Sequence, residues 1–230
     1  MLHPKLFSSL ALAAGFLLVD YACAPAADQS SSASAAGDRA LTYLLHAASS
    51  SVKVFTGSSG ALGFLGHDHV IAVPSFTGEA RIDTTDLKQF ALTIEAPADS
   101  LRVIEEKDAG DRRKIESDMK QDVLESPAFP TIALRGVGFR PAGPDSGQAI
   151  AWGMHKGHLQ LEINLHGVSR TIEVPLQLEL DPNQVRARGK FAITHADFNL
   201  PRKKVAGVVN VAEKLEIEYD VRGVAVRGKP

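Results

Sequence analysis

The feature that most constrains this chain is a long alternation of apolar and polar residues. Leu159, Leu161, Ile163 and Leu165 alternate with His158, Gln160, Glu162, Asn164 and His166. Ile172, Val174, Leu176, Leu178 and Leu180 then alternate with Glu173, Pro175, Gln177 and Glu179. Over 184–195, Val185, Ala187, Gly189, Phe191, Ile193 and His195 share one face, and Arg186, Arg188 and Lys190 lie on the other. Leu215, Ile217, Tyr219 and Val221 alternate with Lys214, Glu216, Glu218, Asp220 and Arg222. Successive side chains of a strand point to opposite sides, so a period of two means strands with one apolar face. Such strands form antiparallel sheets with one side in water.

Weaker strands are legible at 51–56, 69–73, 76–83, 87–96 and 131–139. Turn signals separate the runs: Asp83-Thr84-Thr85-Asp86, the Pro141–Gly147 stretch, His166-Gly167 and Asp181-Pro182-Asn183. One segment departs from the pattern. Ile115, Met119 and Val123 recur every four residues, with Leu124 widening the stripe, which predicts a short amphipathic helix near 111–124. Asp111 is the expected cap and the Pro127 region the expected stop. Long alternating strands joined by short turns predict a barrel or a sandwich. There is no internal repeat.

Composition narrows the function. The chain has 230 residues, 44% of them hydrophobic, which suffices for one cored domain plus a tail. A net charge of −2 argues against a strongly basic nucleic-acid binder. No apolar run reaches the ~20 residues of a membrane helix. The single cysteine, Cys23, leaves no intrachain disulfide and no site built on several thiolates. Residues 1–26 show the order of a secretory signal: Lys5, an apolar stretch from Leu6 to Val19, then Ala22, Ala24 and Ala26. A Ser/Ala-rich flexible linker, 27–40, follows. Two processing routes compete. Ala24-Pro25-Ala26 suits cleavage before Ala27, whereas acylation of Cys23 would make a lipoprotein, although Asp20 and Tyr21 depart from the usual lipobox. Either route places the mature protein in the periplasm or cell envelope.

The inventory of chemical motifs is short. There is no phosphate-binding Gly-rich loop, no G-x-S-x-G and no H-E-x-x-H. The most conspicuous polar cluster is Gly66-His67-Asp68-His69. On a strand, His67 and His69 would face the same way and could share a metal, with His195 or Asp197 as a third ligand. The competing reading makes them structural or head-group contacts without an obligatory metal, and that reading is preferred because few other ligands are identifiable. His195, on an apolar face, needs a polar partner, which a ligand head group could supply. Arg186, Arg188 and Lys190 read as a solvated face. Arg202-Lys203-Lys204 offers a phosphate contact as its less favoured reading.

The ordered set of motifs resembles the YceI family of bacterial polyisoprenoid-binding, lipocalin-like proteins. Tyr43–Val54 looks like the opening strand pair of that family. Phe64-Leu-Gly-His-Asp-His-Val70 is similar to its H-x-H-V segment, and Phe76-Thr-Gly-Glu-Ala-Arg-Ile-Asp83 follows. Met119–Ile132 resembles the helix followed by F-P-x-I. Most specific is Leu159–Pro175, which resembles the L-x-L-H-G-V-T-R-x-V-x-L-P hairpin. Phe191–Phe198 resembles a strand that usually carries Arg-x-Asp-Phe-Gly; here His195 replaces the Arg and Asn199 the Gly. The resemblance spans roughly 41–224. It implies a lipocalin-like antiparallel β-barrel of about eight strands with one short helix, over 41–226. It further implies an extracytoplasmic location and an elongated apolar ligand such as a polyprenyl chain or an isoprenoid-quinone-type molecule. It implies no catalytic residues, and no cofactor is expected.

In such a barrel the apolar half of each strand turns inward. Phe76, Phe90, Leu92, Ile94, Ile132, Leu134, Leu161, Ile163, Phe191 and Ile193 are the expected ligand-binding lining, with His67, His69 and His195 at the polar end. Gly78, Gly136, Gly138 and Gly189, on interior-type positions, are expected to leave volume or let strands bend. The leading function is thus an extracytoplasmic lipid carrier or storage protein and not an enzyme. The alternatives are a metal-dependent or enzymatic module using His67 and His69, and a structural barrel filled by its own side chains. The expected partner is an apolar lipid and not nucleic acid. Membrane contact through an acylated Cys23 and a homodimer are both compatible with this reading.

Overall fold

A computed structural model describes residues 40–58, 69–106, 108–142, 152–202, 204–205, 208–209 and 211–226. The expected signal segment, Cys23, nearly all of the linker and His67 lie outside the described residues. The core is an eight-stranded antiparallel barrel. Around it run β1 (Ala40–Leu45), β4 (Thr77–Asp83), β5 (Ala91–Pro97), β7 (Thr131–Pro141), β8 (Gly153–Leu165), β9 (Val168–Leu180), β10 (Gln184–Thr194) and β13 (Val211–Ala225). The barrel closes where Tyr43, Leu44 and Leu45 of β1 pair with Ala225, Val224 and Gly223 of β13. Closure removes the exposed edges that an open sheet would present.

Three wall strands are broken at one level. His46–Ser50, with a 3-10 turn at Ala47–Ser49, separates β1 from β2 (Ser51–Ser58). Residues 73–76 separate β3 (His69–Ala72) from β4, and a 3-10 turn at Ala98–Ser100 separates β5 from β6 (Arg102–Val103). Beyond this crease β2, β3 and β6 extend the wall, joined to the barrel by β2 pairing with the N-terminal half of β13. A two-residue pairing of β11 (Lys204–Val205) with β12 (Val208–Val209) stands apart from this sheet.

The strong alternations become the longest strands for the expected reason. Leu159, Leu161, Ile163 and Leu165 of β8 and Val174, Leu176, Leu178 and Leu180 of β9 are all buried, while His158, Gln160 and Glu162 are exposed. The turn between them has His166 at φ 53° and Gly167 at φ 72°, the left-handed pair that a two-residue hairpin needs. Tyr43, Ile82, Phe139 and Leu178 are fully buried and plug the lower end of the barrel. Tyr43 also donates its hydroxyl proton to the carbonyl of Asp181 at 2.9 Å.

Several expectations need correction. The helix, α1, spans Ala109–Asp118 and continues as a π turn over Met119–Val123. Its cap is Asp108, whose Oδ1 accepts the amides of Gly110 and Asp111 at 2.7 and 2.8 Å; Asp111 lies inside the first turn. Those two amide bonds hold the Asp108 carboxyl below its usual pKa. Leu87–Gln89 forms a 3-10 turn before β5. Three of the interior-type glycines, Gly78, Gly136 and Gly189, leave no open volume, and the fourth, Gly138, bends its strand. A Cβ on Gly136 would lie 2.8 Å from Leu159 Cδ2, and one on Gly78 would lie 2.5 Å from the Thr93 carbonyl oxygen. Gly138, at φ 67°, forms a bulge between Val137 and Phe139. The extra residue changes the strand's phase, so Val137 faces out and Phe139 is fully buried.

Candidate functional site

The alternating apolar faces do not meet at the barrel axis. They leave a cavity of about 880 Å³. This lies within the ~300–1,000 Å³ usual for small-molecule sites. Phe76, before β4, contributes to the lining, as do Phe90 and, from β5, Leu92 and Ile94. Ile132 and Leu134 come from β7, Leu161 and Ile163 from β8, and Phe191 and Ile193 from β10. His69, at the start of β3, and His195, just past β10, also line it. The structure thus brings together every expected lining residue that it describes. His67 falls outside the described residues, so its place is not part of this geometry.

The polar lining gathers at one end. Thr56 of β2, His69, Glu106, His195 and, from α1, Asp111, Lys114 and Asp118 all belong to the upper rim. Below them the described lining is apolar except for Tyr219. Helix α1 and the turn after it lie over this end, and Ile115, Met119, Val123 and Leu124 face into the cavity. Their four-residue spacing marks them in the sequence as the apolar stripe of a helix. That they roof a cavity follows from where the β6–α1 connection lands.

His195 is the buried polar group of the lining, 5% exposed. β10 ends at Thr194, and His195 opens a 3-10 turn over Ala196–Phe198. Asp197 Oδ2 accepts the Thr194 amide at 2.8 Å, and Asn199 takes φ 53°, where the motif usually has glycine. Thr194 and Arg170 together hold the Asp197 carboxyl below its ordinary pKa, the hydrogen bonds from Thr194 contributing most. Phe198 is fully buried beneath the turn. His195 Nδ1 lies 3.1 Å from the Glu213 carbonyl oxygen, and the His195 amide donates to the same oxygen at 3.0 Å.

Between β9 and β10 the wall is incomplete. Their pairing covers only Gln177–Leu180 against Val185–Arg188, although both strands continue upward. Tyr219, on β13, crosses this seam from inside. Its hydroxyl donates to the Pro175 carbonyl at 2.6 Å, directly over Gly189. Burial pushes the Tyr219 hydroxyl well above its ordinary pKa. Higher up, Arg170 Nε donates to the Asp197 carbonyl at 3.0 Å.

The outward cations are engaged. Arg186 makes a two-pronged pair with Asp220, at 2.8 and 2.5 Å. That pairing lowers the Asp220 pKa. Lys190 lies 2.8 Å from Glu218 and Arg202 2.9 Å from Glu213. Arg202 is therefore committed to the fold, and of its expected phosphate-binding neighbours the side chains lie outside the described set. Among the described residues no group of three His, Cys, Asp or Glu side chains is placed to hold a metal.

A family model for the YceI-like domain matches residues 43–222. No curated protein matches the chain. Among solved structures, BcnA of Burkholderia cenocepacia superposes with a TM-score of 0.59 at 16% identity, covering 77% of this chain and 98% of that one. A polyisoprenoid-binding domain from Saccharophagus degradans, implicated in plant cell wall breakdown, superposes with a TM-score of 0.57 at 13% identity, covering 81% and 99%. At these identities the likeness is one of fold.

Proposed function

The chain belongs to the YceI-like family, and from that premise we propose that it binds an elongated apolar lipid, of the polyisoprenoid or isoprenoid-quinone type, inside its barrel. The observation that carries this reading is the distribution of polarity along the cavity. An apolar shaft with polar groups gathered at one end suits a hydrocarbon chain with a polar terminus. Affinity for such a chain comes from area removed from water. About 400 Å² at ~25 cal/mol/Å² contributes roughly 10 kcal/mol before the cost of association. A solved structure with this fold is described as a polyisoprenoid-binding domain, which supports the same class of ligand.

A binding role suits a cavity whose shaft is apolar and whose polar groups gather at one end. The volume of the cavity also argues against a barrel filled by its own side chains. We place the mature protein outside the cytoplasm, as a carrier or store, on the strength of the N-terminal signal pattern.

Mass spectrometry of the full-length gene product, purified from its host, tests both parts. Loss of the first ~22–26 residues is expected, with an extractable isoprenoid lipid; acylation at Cys23 would identify the lipoprotein route. Leu134→Trp, which points a larger ring into the cavity, should greatly reduce lipid occupancy while the protein stays folded. Protein that carries no lipid and takes up none when offered a polyprenol would sink the proposal.

A further inference from the structure

We infer that His195 selects a ligand whose polar end is a hydroxyl group, an isoprenoid alcohol, over one that ends in a phosphate. The inference rests on the lipid-binding reading above and adds the chemistry of the ligand's head.

The geometry of the ring carries it. A carbonyl oxygen only accepts hydrogen bonds, so the 3.1 Å contact with the Glu213 carbonyl puts a proton on Nδ1. The other nitrogen of the neutral ring is then an acceptor, and among the described residues nothing bonds Nε2. The side chain is nine-tenths buried and lines the cavity. Nε2 itself keeps accessible surface, so a donor that a ligand brings into the cavity can reach it.

The acceptor is held still. Glu213 is tied at both ends: its Oε1 accepts the Ala196 amide at 2.9 Å, and its Oε2 pairs with Arg202 Nη1 at 2.9 Å. The His195 carbonyl in turn accepts the Leu200 amide at 2.9 Å. Rotation of the ring would break the Nδ1 bond, so Nε2 keeps one direction.

Charge at the same rim argues against a phosphate. Among the described lining residues, Glu106, Asp111 and Asp118 are acidic and Lys114 is the one permanently charged cation. A phosphate monoester would bring negative charge to a rim already rich in carboxylates, whereas a hydroxyl brings a donor and no charge.

The test uses the full-length protein, stripped of lipid, in neutral to mildly alkaline buffer. Binding of geranylgeraniol, its methyl ether and its monophosphate is measured by displacement of a fluorescent lipid probe. The alcohol should bind about three- to tenfold more tightly than the ether, the effect of one net hydrogen bond. The phosphate should bind less well than the alcohol. His195→Phe keeps the ring's bulk and should bind alcohol and ether alike. The comparison within the unmodified protein stands even if that variant does not fold. If the ether matches the alcohol, or the phosphate binds most tightly, the inference about His195 falls and the lipid-binding reading stands. If none of the three binds, both fall.

Discussion

A single hydroxyl closes the weakest part of the wall. Tyr219 reaches across Gly189 to the Pro175 carbonyl, and a Cβ at 189 would lie 2.4 Å from the Tyr219 oxygen and 2.5 Å from the Pro175 oxygen. Glycine is needed here for close approach, not for an unusual φ. The β9–β10 ladder stops at Gln177, so the Pro175 carbonyl beyond it takes its donor from this side chain. Tyr219→Phe should therefore lose about 1 kcal/mol of stability in urea denaturation. Gly189→Ala should cost more, on the order of 2–3 kcal/mol, because the clash is with backbone as well as side chain. Equal effects from the two variants would contradict this account. Of the four glycines that alternation places on interior-type positions, Gly78, Gly136 and Gly189 are crowded; a period-two pattern shows which way a residue faces but not what stands opposite it.

At the scale of elements, the barrel combines continuous and interrupted strands. β8 and β9 pair along their whole length, from Gly153–Leu180 to Leu165–Val168. β10 pairs fully with β13 but only over four residues with β9. The amides of 189–193 that point toward β9 thus lack a ladder partner, while their neighbours that point toward β13 have one, and the Thr194 amide is held by Asp197. Hydrogen exchange should alternate along this stretch, with the seam-facing amides exchanging much faster than those of 185–188. Uniform protection from 185 to 194 would mean that the seam is closed in solution. The bulge at Gly138 and the crease through β1, β3 and β5 are likewise properties of pairing. A break in one strand is accommodated because its neighbours break at the same level, and no local motif announces that coincidence.

For the whole molecule, an open apolar cavity means that part of the barrel's stabilisation waits for its ligand. A lipid that binds only the folded state raises stability with its concentration. Protein reloaded with a polyprenol at a hundredfold excess over Kd should melt about 5–10 °C above the stripped protein. An unchanged melting temperature would indicate that the chain does not enter the barrel. The long strands, their hairpin turns and the lining from Phe76 to Ile193 are legible in the sequence, because side-chain alternation and turn chemistry are local properties of the backbone; the phase change at Gly138 and the 3-10 turn at Leu87–Gln89 are not. His195 was legible as a buried polar residue in search of a partner. Its bond to Glu213, the roofing role of α1, the switch of cap from Asp111 to Asp108 and the crowding around the glycines were not. These depend on which segments meet across the barrel, and closing the sheet between β1 and β13 is what decides that. The chain by itself determined that one face of each strand is apolar; only closure into a ring decided that those faces enclose a space, because eight inward-facing rows can either interdigitate or stand apart.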